Sequence, residues 1–173
     1  MKKVVLLVLA LVFTSFASNH AMAQSKIGQE HLIAVGIHYG YGAAPIGNLG
    51  GLNVDFNSAT NNLRLRTNVD ALQVKKPTDD DNMCFGVSAN AQYLFTVSNK
   101  GADGFYIYPM AGIGININKA SNWKGDFGIG FNVGAGVEYQ ISGKFGVFVE
   151  GDYELRFNSD HKPAFRVGFN YAI

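Results

Sequence analysis

The segment GAGVEYQISGKFGVFVEGDYELRF, at Gly134–Phe157, alternates apolar and polar residues on both sides of a short Ser-Gly-Lys interruption. Because strand side chains point to opposite faces with a period of two, this alternation predicts two antiparallel strands joined by a tight turn at Ser142-Gly143. One face of each predicted strand carries no charged residue. The pattern recurs in eight stretches of the chain, and their uncharged faces together are too large and continuous for a soluble sheet protein to hide.

The eight predicted strands follow from this parity. In seven of them the apolar face lies on odd-numbered residues, and in the second it lies on even-numbered ones. Strands of this kind are long enough to cross a bilayer, which needs about 9–11 tilted residues per crossing. The predicted fold is therefore all-β, an eight-stranded antiparallel up-and-down transmembrane β-barrel with lipid on its apolar face. The predicted strands cover residues 32–41, 52–57, 63–70, 85–95, 105–116, 127–139, 144–156 and 165–173.

Aromatic residues on the apolar faces are sorted by position along the strand. Phe127 and Tyr139 bracket the aliphatic residues of the sixth strand, and Phe145 and Tyr153 bracket those of the seventh. Two aromatic girdles around an aliphatic belt are typical of a protein that meets both interfaces of a membrane. Placement of these aromatics by β-propensity alone is the alternative for any single strand.

The first residues have the features of a secretory signal peptide. Lys2 and Lys3 precede the apolar run Val4–Phe13, and Ala21-Met22-Ala23 forms an A-x-A cleavage site. The apolar run is too short to span a bilayer as a helix. We therefore expect residues 1–23 to be a signal peptide cleaved after Ala23, and residues 24–173 to form one barrel domain.

The composition excludes several classes of function. Cleavage removes 23 of the 173 residues and two of the 14 basic ones, which leaves 150 residues with 12 basic against 13 acidic side chains. This balance argues against nucleic-acid binding. Cys84 is the only cysteine, so no intramolecular disulfide or cysteine-based zinc site is possible, and we interpret it as a small wall residue. We expect no cofactor.

The polar faces predict the interior. Eight strands leave an interior about wide enough for side chains to fill, and buried charges there need partners. A tight turn after Phe157 predicts Glu154 opposite Arg166, and one after Phe56 predicts Asp55 opposite Arg64. We expect a charge-paired, filled lumen rather than an open pore. The charged residues on the polar faces are Asp55, Arg64, Arg66, Asp70, Glu138, Lys144, Glu150, Asp152, Glu154, Arg156 and Arg166.

An even number of strands predicts that both chain ends lie in the periplasm. All connections are short, which leaves no room for a large receptor domain. The predicted outward loops are residues 43–50, 75–82, 118–126 and 158–162, and the predicted periplasmic turns are residues 58–62, 97–104 and 142–143.

The chain resembles the small eight-stranded outer-membrane barrel family, of the type of the OmpA membrane domain and OmpX. The segments that carry the resemblance are Gly51–Arg66 (GLNVDFNSATNNLRLR), Tyr108–Ile115 (YPMAGIGI), Gly134–Phe157 and Phe165–Ile173 (FRVGFNYAI). They are specific for the architecture and uninformative about activity. The resemblance implies a Gram-negative outer-membrane location, contact with lipid and lipopolysaccharide, insertion by the outer-membrane assembly machinery, and a monomer.

The last strand resembles the signal read by that machinery in its alternating Phe165, Val167, Phe169 and Tyr171. It departs from the pattern by ending in Ile173 rather than in an aromatic residue.

Several residue groups are candidates for chemistry. Ser159, Asp160 and His161 resemble the serine, acid and histidine of barrels that trim lipid A, but they are ordinary turn residues and adjacent side chains in a turn point apart. The run Asp79–Asp81 offers carboxylates to a divalent cation, yet a solvated loop is the simpler interpretation. Residues of the third outward loop that could contact lipopolysaccharide phosphates or the interface are Lys119, Trp123 and Lys124.

His31 and His38 are interpreted as barrel-lining residues rather than metal ligands. The GxG repeats at Gly112–Gly114 and Gly128–Gly130 lie inside predicted strands, so they are not phosphate loops. We expect no catalytic, cofactor-binding or metal-binding residues. The sequence favours a non-enzymatic outer-membrane barrel that is structural, surface-exposed or narrowly conducting. The alternatives are a lipid-A-modifying barrel enzyme and a soluble secreted ligand-binding barrel.

Overall fold

The computed structural model describes residues 32–42, 46–58, 62–74, 82–100, 103–118, 126–141, 143–156 and 162–173. These residues form antiparallel strands, and β4 and β5 are separated only by Leu94, so the two together make one strand of the wall. The strands are β1 (Ile33–Gly42), β2 (Ile46–Asn57), β3 (Leu63–Val74), β4 (Asn82–Tyr93), β5 (Phe95–Lys100), β6 (Asp103–Asn118), β7 (Asp126–Ile141), β8 (Phe145–Arg156) and β9 (Lys162–Ala172).

The sheet closes on itself. Each wall strand pairs with its neighbours in the chain, and β1 pairs with β9 along Ala34–Gly42 and Ala164–Ala172. The strand formed by β4 and β5 pairs with β3 on one side and with β6 on the other. The result is a closed eight-stranded antiparallel barrel of up-and-down topology, which confirms the predicted fold. A closed barrel leaves no unpaired strand edge.

The predicted parity of the faces is confirmed. Outward positions are mostly large apolar residues that are exposed, for example 64% for Phe165 and 60% for Leu52. Inward positions on the same strands are buried polar residues, such as Arg66 on β3 and Glu150 on β8. Among the described residues, no helix is long and apolar enough to cross a membrane.

Aromatic side chains on the outer wall gather at both ends of the barrel. At one end Tyr93 and Phe95 meet edge to face with ring centroids 4.8 Å apart, and Phe145 stacks on Phe169 at 5.7 Å. The side chain of Phe127 lies outside the described residues. Exposed aromatics nearer the other end are Tyr39, Tyr41, Phe85, Phe131, Tyr153 and Phe165.

The hairpin between β7 and β8 shows how the connections are built. Ile141 pairs with Phe145 across residues 142–144, and Gly143 has a φ of 73°, which L side chains rarely adopt. The predicted turn is therefore present and one residue longer. The hairpins β2–β3, β5–β6 and β7–β8 lie at the same end as Ala172, and we call this the turn end. The opposite end, where β3 joins β4 and β8 joins β9, is the loop end.

Two predicted connections are wrong in their bounds. The predicted loop 43–50 is shorter, since β2 already begins at Ile46 and pairs with β1 through Tyr41 and Asn48. The predicted turn 97–104 is also shorter, because Lys100 pairs with Asp103. In both segments glycine and polar residues interrupt the run of large apolar residues, so alternation fades while backbone pairing continues. The ends of the loops predicted at 75–82, 118–126 and 158–162 agree with the strand ends to within one or two residues.

Candidate functional site

The polar lumen is the candidate functional site, and Arg66 lies at its centre. The Leu65 side chain points outwards, so Arg64 and Arg66 on either side of it both point into the barrel. Arg66 is fully buried and binds Asp55 on the paired strand β2 with two parallel hydrogen bonds, Nε to Oδ1 and Nη2 to Oδ2, both 2.7 Å. Charge-assisted bidentate pairs of this kind are among the strongest polar contacts in proteins.

The same guanidinium reaches across the lumen. Arg66 Nη1 donates to Glu150 Oε2 at 2.8 Å, and Nη2 lies 3.5 Å from Glu138 Oε2. The guanidinium carbon is 4.0 Å from the ring centroid of Phe148 and 5.9 Å from that of Tyr108. Aromatic faces attract a desolvated cation, so the two rings hold Arg66 in the middle of the barrel.

Arg64 forms a second set of contacts nearer the turn end. Its Nη1 donates to Glu138 Oε2 at 2.7 Å, its Nε donates to Gln92 Oε1 at 2.6 Å, and Nη1 is 3.6 Å from Asp55 Oδ2. Asn170 Nδ2 joins both carboxylates, at 3.1 Å from Asp55 Oδ2 and 3.4 Å from Glu138 Oε2. We call the connected charges of this half the turn-side cluster; its members are Asp55, Arg64, Arg66, Glu138 and Glu150.

A smaller set of charges lies towards the loop end. Arg166 Nη1 donates to Asp152 Oδ2 at 2.7 Å, and Nη2 donates to Asp70 Oδ2 at 3.3 Å. The ring Nε2 of His38 is 2.5 Å from Asp70 Oδ1. We call Asp70, Asp152, Arg166 and His38 the loop-side cluster. Four strands, β1, β3, β8 and β9, each contribute one residue to it.

Neutral amides fill the space between the charges. Asn68 donates to Ser88 at 3.2 Å, Asn132 donates to Asn90 at 3.1 Å, and Asn53 donates to Asn170 at 2.7 Å. Each of these contacts crosses from one wall strand to another. Polar side chains therefore hydrogen-bond to each other through the lumen, as buried polar groups require.

Glycines on the inner wall make room for the two large rings. Gly136 is the cross-strand partner of Tyr108, and Gly168 is the partner of Phe148. A Cβ at Gly136 would lie 2.5 Å from Tyr108 Cζ, closer than side chains approach one another. These glycines are needed because the ring of the neighbouring strand lies directly over the backbone.

One small opening leads from the turn end to the turn-side cluster. The centre of a water molecule can occupy about 20 Å³ of the cavity there. This is room for one water or little more. Its lining includes Asp55, Arg64 and Glu138 of the turn-side cluster, with Tyr106 and Lys144 nearer the rim. A solute much larger than water does not fit.

The predicted ion pair Glu154–Arg166 is wrong in its register. Glu154 pairs across the strands with Lys162, and the partner of Arg166 is Glu150. The β8–β9 hairpin is centred two residues earlier than a turn after Phe157 would require. This shift leaves each side chain on the same face of its strand. The predicted inward and outward faces are therefore correct, although the predicted cross-strand partners are not.

The predicted pair Asp55–Arg64 is displaced in the same way. Arg66 is the cross-strand partner of Asp55, while Arg64 stands opposite Asn57. The β2–β3 hairpin is centred one residue later than predicted. Arg64 still lies within ion-pair distance of Asp55, because the guanidinium reaches past its own strand position.

Other candidates from the sequence fall into three groups. His38 lies in the lumen as predicted, on Asp70, and among the described residues no three His, Cys, Asp or Glu side chains are grouped to hold a metal ion. Both GxG repeats lie inside strands β6 and β7. Candidates whose side chains fall outside the described residues are His31, Asp79, Asp80, Asp81, Cys84, Lys119, Trp123, Lys124, Arg156, Ser159, Asp160 and His161.

Apolar side chains inside the lumen were not predicted. Leu49, Leu94, Met110 and Phe148 are buried on the inner face. Phe148 could have been found, since it occupies an even position in a strand whose other even positions are polar, and Gly168 follows in the next strand. Leu94 has the same signal, because it also occupies an even position of a predicted strand whose other even positions are polar or glycine.

A closed barrel with an apolar outer wall, aromatic girdles and a polar interior defines the class of membrane-spanning β-barrels. The chain belongs to the family described as outer membrane protein beta-barrel domain, whose model matches residues 7–172. Membership places the protein in the outer membrane of a Gram-negative bacterium. No curated protein matches the sequence.

Solved structures share the fold at low sequence identity. The N-terminal β-barrel domain of Pseudomonas aeruginosa OprF has a TM-score of 0.58 and 17% identity, covering 80% of this chain and 96% of that one. Neisserial surface protein A has a TM-score of 0.55 and 12% identity, covering 82% and 96%. The outer membrane enzyme PagL has a TM-score of 0.57 and 12% identity, covering 81% and 99%. At these identities the likeness concerns the fold alone.

Proposed function

We propose that this protein is a non-enzymatic structural barrel of the outer membrane, with a lumen filled by its own paired side chains. The observation that carries the proposal is the turn-side cluster. Arg66 is fully buried and contacts Asp55, Glu138 and Glu150, which come from three other strands of the wall. Side chains that meet in the middle of the barrel leave no wide path for a solute.

The positions of the polar groups also favour a protein without enzymatic activity. An enzyme that trims lipid A needs its nucleophile and histidine on the outer wall, where the lipid lies. His38, the one histidine among the described residues, is buried inside the barrel on Asp70. The outer wall at the described positions is formed by apolar residues, with few polar groups to activate a nucleophile.

The apolar outer wall also indicates which molecules surround the barrel. The apolar belt contacts outer-membrane lipid, and the outward end meets lipopolysaccharide. The signal peptide is cleaved after Ala23, and the assembly machinery inserts the chain by its closing strand. Because every wall strand already pairs on both sides, the barrel is complete as a monomer. It has no nucleic-acid partner.

Heat-modifiable gel mobility of the membrane fraction tests the barrel proposal. A closed barrel that resists detergent should migrate differently before and after boiling. Cysteines placed at Val137 and Val149, on the lipid-facing wall, should be protected from a water-soluble thiol reagent in cells, after replacement of the natural Cys84. A mature protein found in the soluble fraction, or full labelling at both positions, contradicts the membrane assignment.

The non-enzymatic part is tested separately by lipid A mass spectra of cells with and without the chain. We expect identical spectra. A mass change that depends on expression, and that is lost when Ser159 or His161 is replaced, would make the protein a lipid A-modifying enzyme. Large, stable channels in a planar bilayer would contradict the filled lumen.

A further inference from the structure

We infer that the open edge of β5 docks an extended polypeptide segment of the periplasm, which adds a strand to the sheet. The inference rests on the proposed function in one respect, since the turn end must face the periplasm of a membrane-spanning barrel. It follows from the backbone pairing of β5, which differs from that of the other strands at the turn end.

β5 continues beyond the closed part of the wall. β3 begins at Leu63, which pairs with Tyr93, and one further backbone bond runs from Leu94 N to Asn62 O at 2.8 Å. Over its six residues β5 pairs with β6 on one side. Its other edge has no strand partner among the residues that the structure describes. The wall is therefore closed as far as Leu94, and β5 extends past it with one open edge.

The other described strand ends at the turn end are covered by a neighbour. β2 is covered to its last residue, since Asn57 N donates to Leu32 O at 2.8 Å. β9 is covered on the β8 side, where Ala172 N donates to Lys144 O at 2.8 Å. β7 pairs with β6 up to Gln140, one residue before its end. An open edge as long as an ordinary strand is therefore particular to β5 within the described part of this end.

The open edge presents backbone hydrogen-bonding groups. Leu94 N points to the β3 side, and strand backbone groups alternate sides with a period of two, so Thr96 N–H and C=O face the same open side. A β-bulge between Thr96 and Ser98 leaves Val97 without a partner on β6. Such a row of unpaired donors and acceptors is the template that an added strand recognises.

The open edge lies on the water side of the membrane boundary. Unpaired backbone groups at a sheet edge are too costly within the hydrocarbon of a bilayer. The edge-to-face contact of Tyr93 with Phe95 belongs to the aromatic girdle, which places the interface beside the first residue of β5. Phe95 and Val97 are exposed on the outer side, and the polar Ser98 follows them there. The edge from Thr96 onwards is therefore accessible from the periplasm.

The side chains along the edge describe the occupant. Main-chain hydrogen bonds supply affinity in this mode of recognition, and side chains at alternate positions supply specificity. On the outer side, an apolar residue of the added strand shields Phe95 and Val97 from water. On the inner side, Thr96 lies opposite Tyr106, so a neutral polar residue fits there. The occupant is an extended segment in which apolar and neutral polar residues alternate.

A second copy of this chain does not fit the same edge. Two copies inserted in one membrane have the same orientation, so both β5 strands run towards the periplasm. Barrel strands are tilted by about 35–45°, and a two-fold axis along the membrane normal therefore makes the two edges cross instead of aligning. Crossed edges cannot form a continuous ladder of hydrogen bonds. The occupant is therefore a separate polypeptide of the periplasm.

Amide hydrogen exchange, followed by NMR on the full mature chain in lipid nanodiscs, tests the inference. The probe is the blocked peptide Lys-Thr-Val-Thr-Val-Thr-Lys. Without peptide, the Thr96 amide should exchange faster than the Phe95 amide, which faces β6. With free peptide at about four times its Kd, exchange at Thr96 should slow about fivefold. The same peptide with proline in place of both valines should have no effect.

Substitution of Thr96 separates backbone docking from other contacts. Thr96→Pro removes the N–H of the open edge and leaves the side of the strand that faces β6, because proline is tolerated where the N–H faces solvent. It should weaken peptide binding about fivefold, measured by fluorescence anisotropy of the labelled probe. The matched control Thr96→Val keeps the N–H and should bind as the natural protein does. Equal affinity of both variants overturns docking through the backbone.

A further variant covers the case in which Thr96→Pro does not insert. Val97→Lys places a charge on the edge strand, which opposes pairing with another strand, and should weaken binding of the same peptide. Peptide affinity unchanged by Val97→Lys, in a barrel that retains heat-modifiable mobility, contradicts the inference.

Failure of this inference can be told from failure of the barrel itself. A Thr96 amide that is already protected without peptide shows that the edge is covered, and overturns the docking site. An inserted, heat-modifiable barrel whose Thr96 exchange is unchanged by the peptide also overturns it and leaves the proposed function intact. Protection that appears only when the protein dimerises assigns the edge to a second copy and overturns the periplasmic occupant. A chain that never reaches the membrane overturns both proposals.

Discussion

The outer wall and the lumen are built from the same strands and obey opposite rules. On the wall, neighbouring side chains such as Val137 and Val149 are apolar and exposed, and each contributes through its contact with lipid. In the lumen, Arg66 and its partners depend on one another through specific hydrogen bonds. The wall should therefore tolerate replacement of one apolar residue by another at almost any position. The lumen should be sensitive to the loss or gain of a single charge.

The largest effect is expected from Arg66→Ala. This change leaves Asp55 and Glu150 buried without their main partner, and breaking a buried ion pair on one side costs about 3–5 kcal/mol. Urea unfolding of the barrel in lipid vesicles measures the loss. The double variant Arg66→Ala with Asp55→Ala removes a carboxylate together with the guanidinium and should recover part of the stability. If the Arg66→Ala variant unfolds at the same urea concentration as the natural protein, the pairing is not needed for stability.

A somewhat smaller loss of stability is expected when a charged residue replaces an apolar one on the outer wall. Val149 lies midway between the girdle residues Phe145 and Tyr153, so Val149→Arg places a cation near the bilayer midplane at a cost of about 2–4 kcal/mol. The matched control is Val97→Arg, which lies nearer the turn end beyond Phe95 and should cost about 0–1 kcal/mol. The same unfolding assay measures both variants. Equal losses at the two depths would contradict the position of the belt.

The glycines under the aromatic rings should be sensitive to added volume. Gly136→Val places three carbons where the Tyr108 ring lies, and overpacking of this kind costs about 1–3 kcal/mol. Truncating the ring in the same chain, by Tyr108→Ala, should make Gly136→Val less harmful than it is alone. Independent, additive effects of the two changes on unfolding would indicate that the ring does not lie over Gly136.

The smallest effect is expected at the hairpin between β7 and β8. Gly143 has a positive φ, so Gly143→Ala should lower the free energy of unfolding by about 1–2 kcal/mol through backbone strain alone. Gly143→Asn should lose less, since asparagine tolerates this conformation better than alanine. The order of stability expected from thermal unfolding is glycine, asparagine, alanine. Alanine as stable as glycine would mean that the turn relaxes to another shape.

The sequence was a good guide to the wall and a poor guide to the pairs inside it. Alternation assigns Val137 to the lipid and Glu138 to the lumen without knowledge of the neighbouring strand. The partner of Arg166 depends on where the hairpin between β8 and β9 is centred, and a shift of two residues exchanges Glu154 for Glu150. Such a shift leaves every side chain on the same face, so the sequence pattern contains no signal against it.

The ends of the strands were also hard to place from the sequence. The extensions of β2 to Ile46 and of β5 to Lys100 consist of residues with little alternation, and backbone pairing holds them in the sheet. Apolar residues inside the lumen, such as Leu94 and Met110, were missed because parity treats every inward position as polar. They pack with Tyr106 and Tyr108 in a small buried group near the turn end.

Residue alternation alone was sufficient to determine that this chain forms eight lipid-facing strands, because the direction of a strand side chain is a local property with a period of two. Closure of β1 on β9, and the meeting of Arg66 with Asp55, Glu138 and Glu150, were decided by the tertiary structure. These contacts join residues up to 138 positions apart in the chain, as between Ala34 and Ala172, and depend on the register of every hairpin between them.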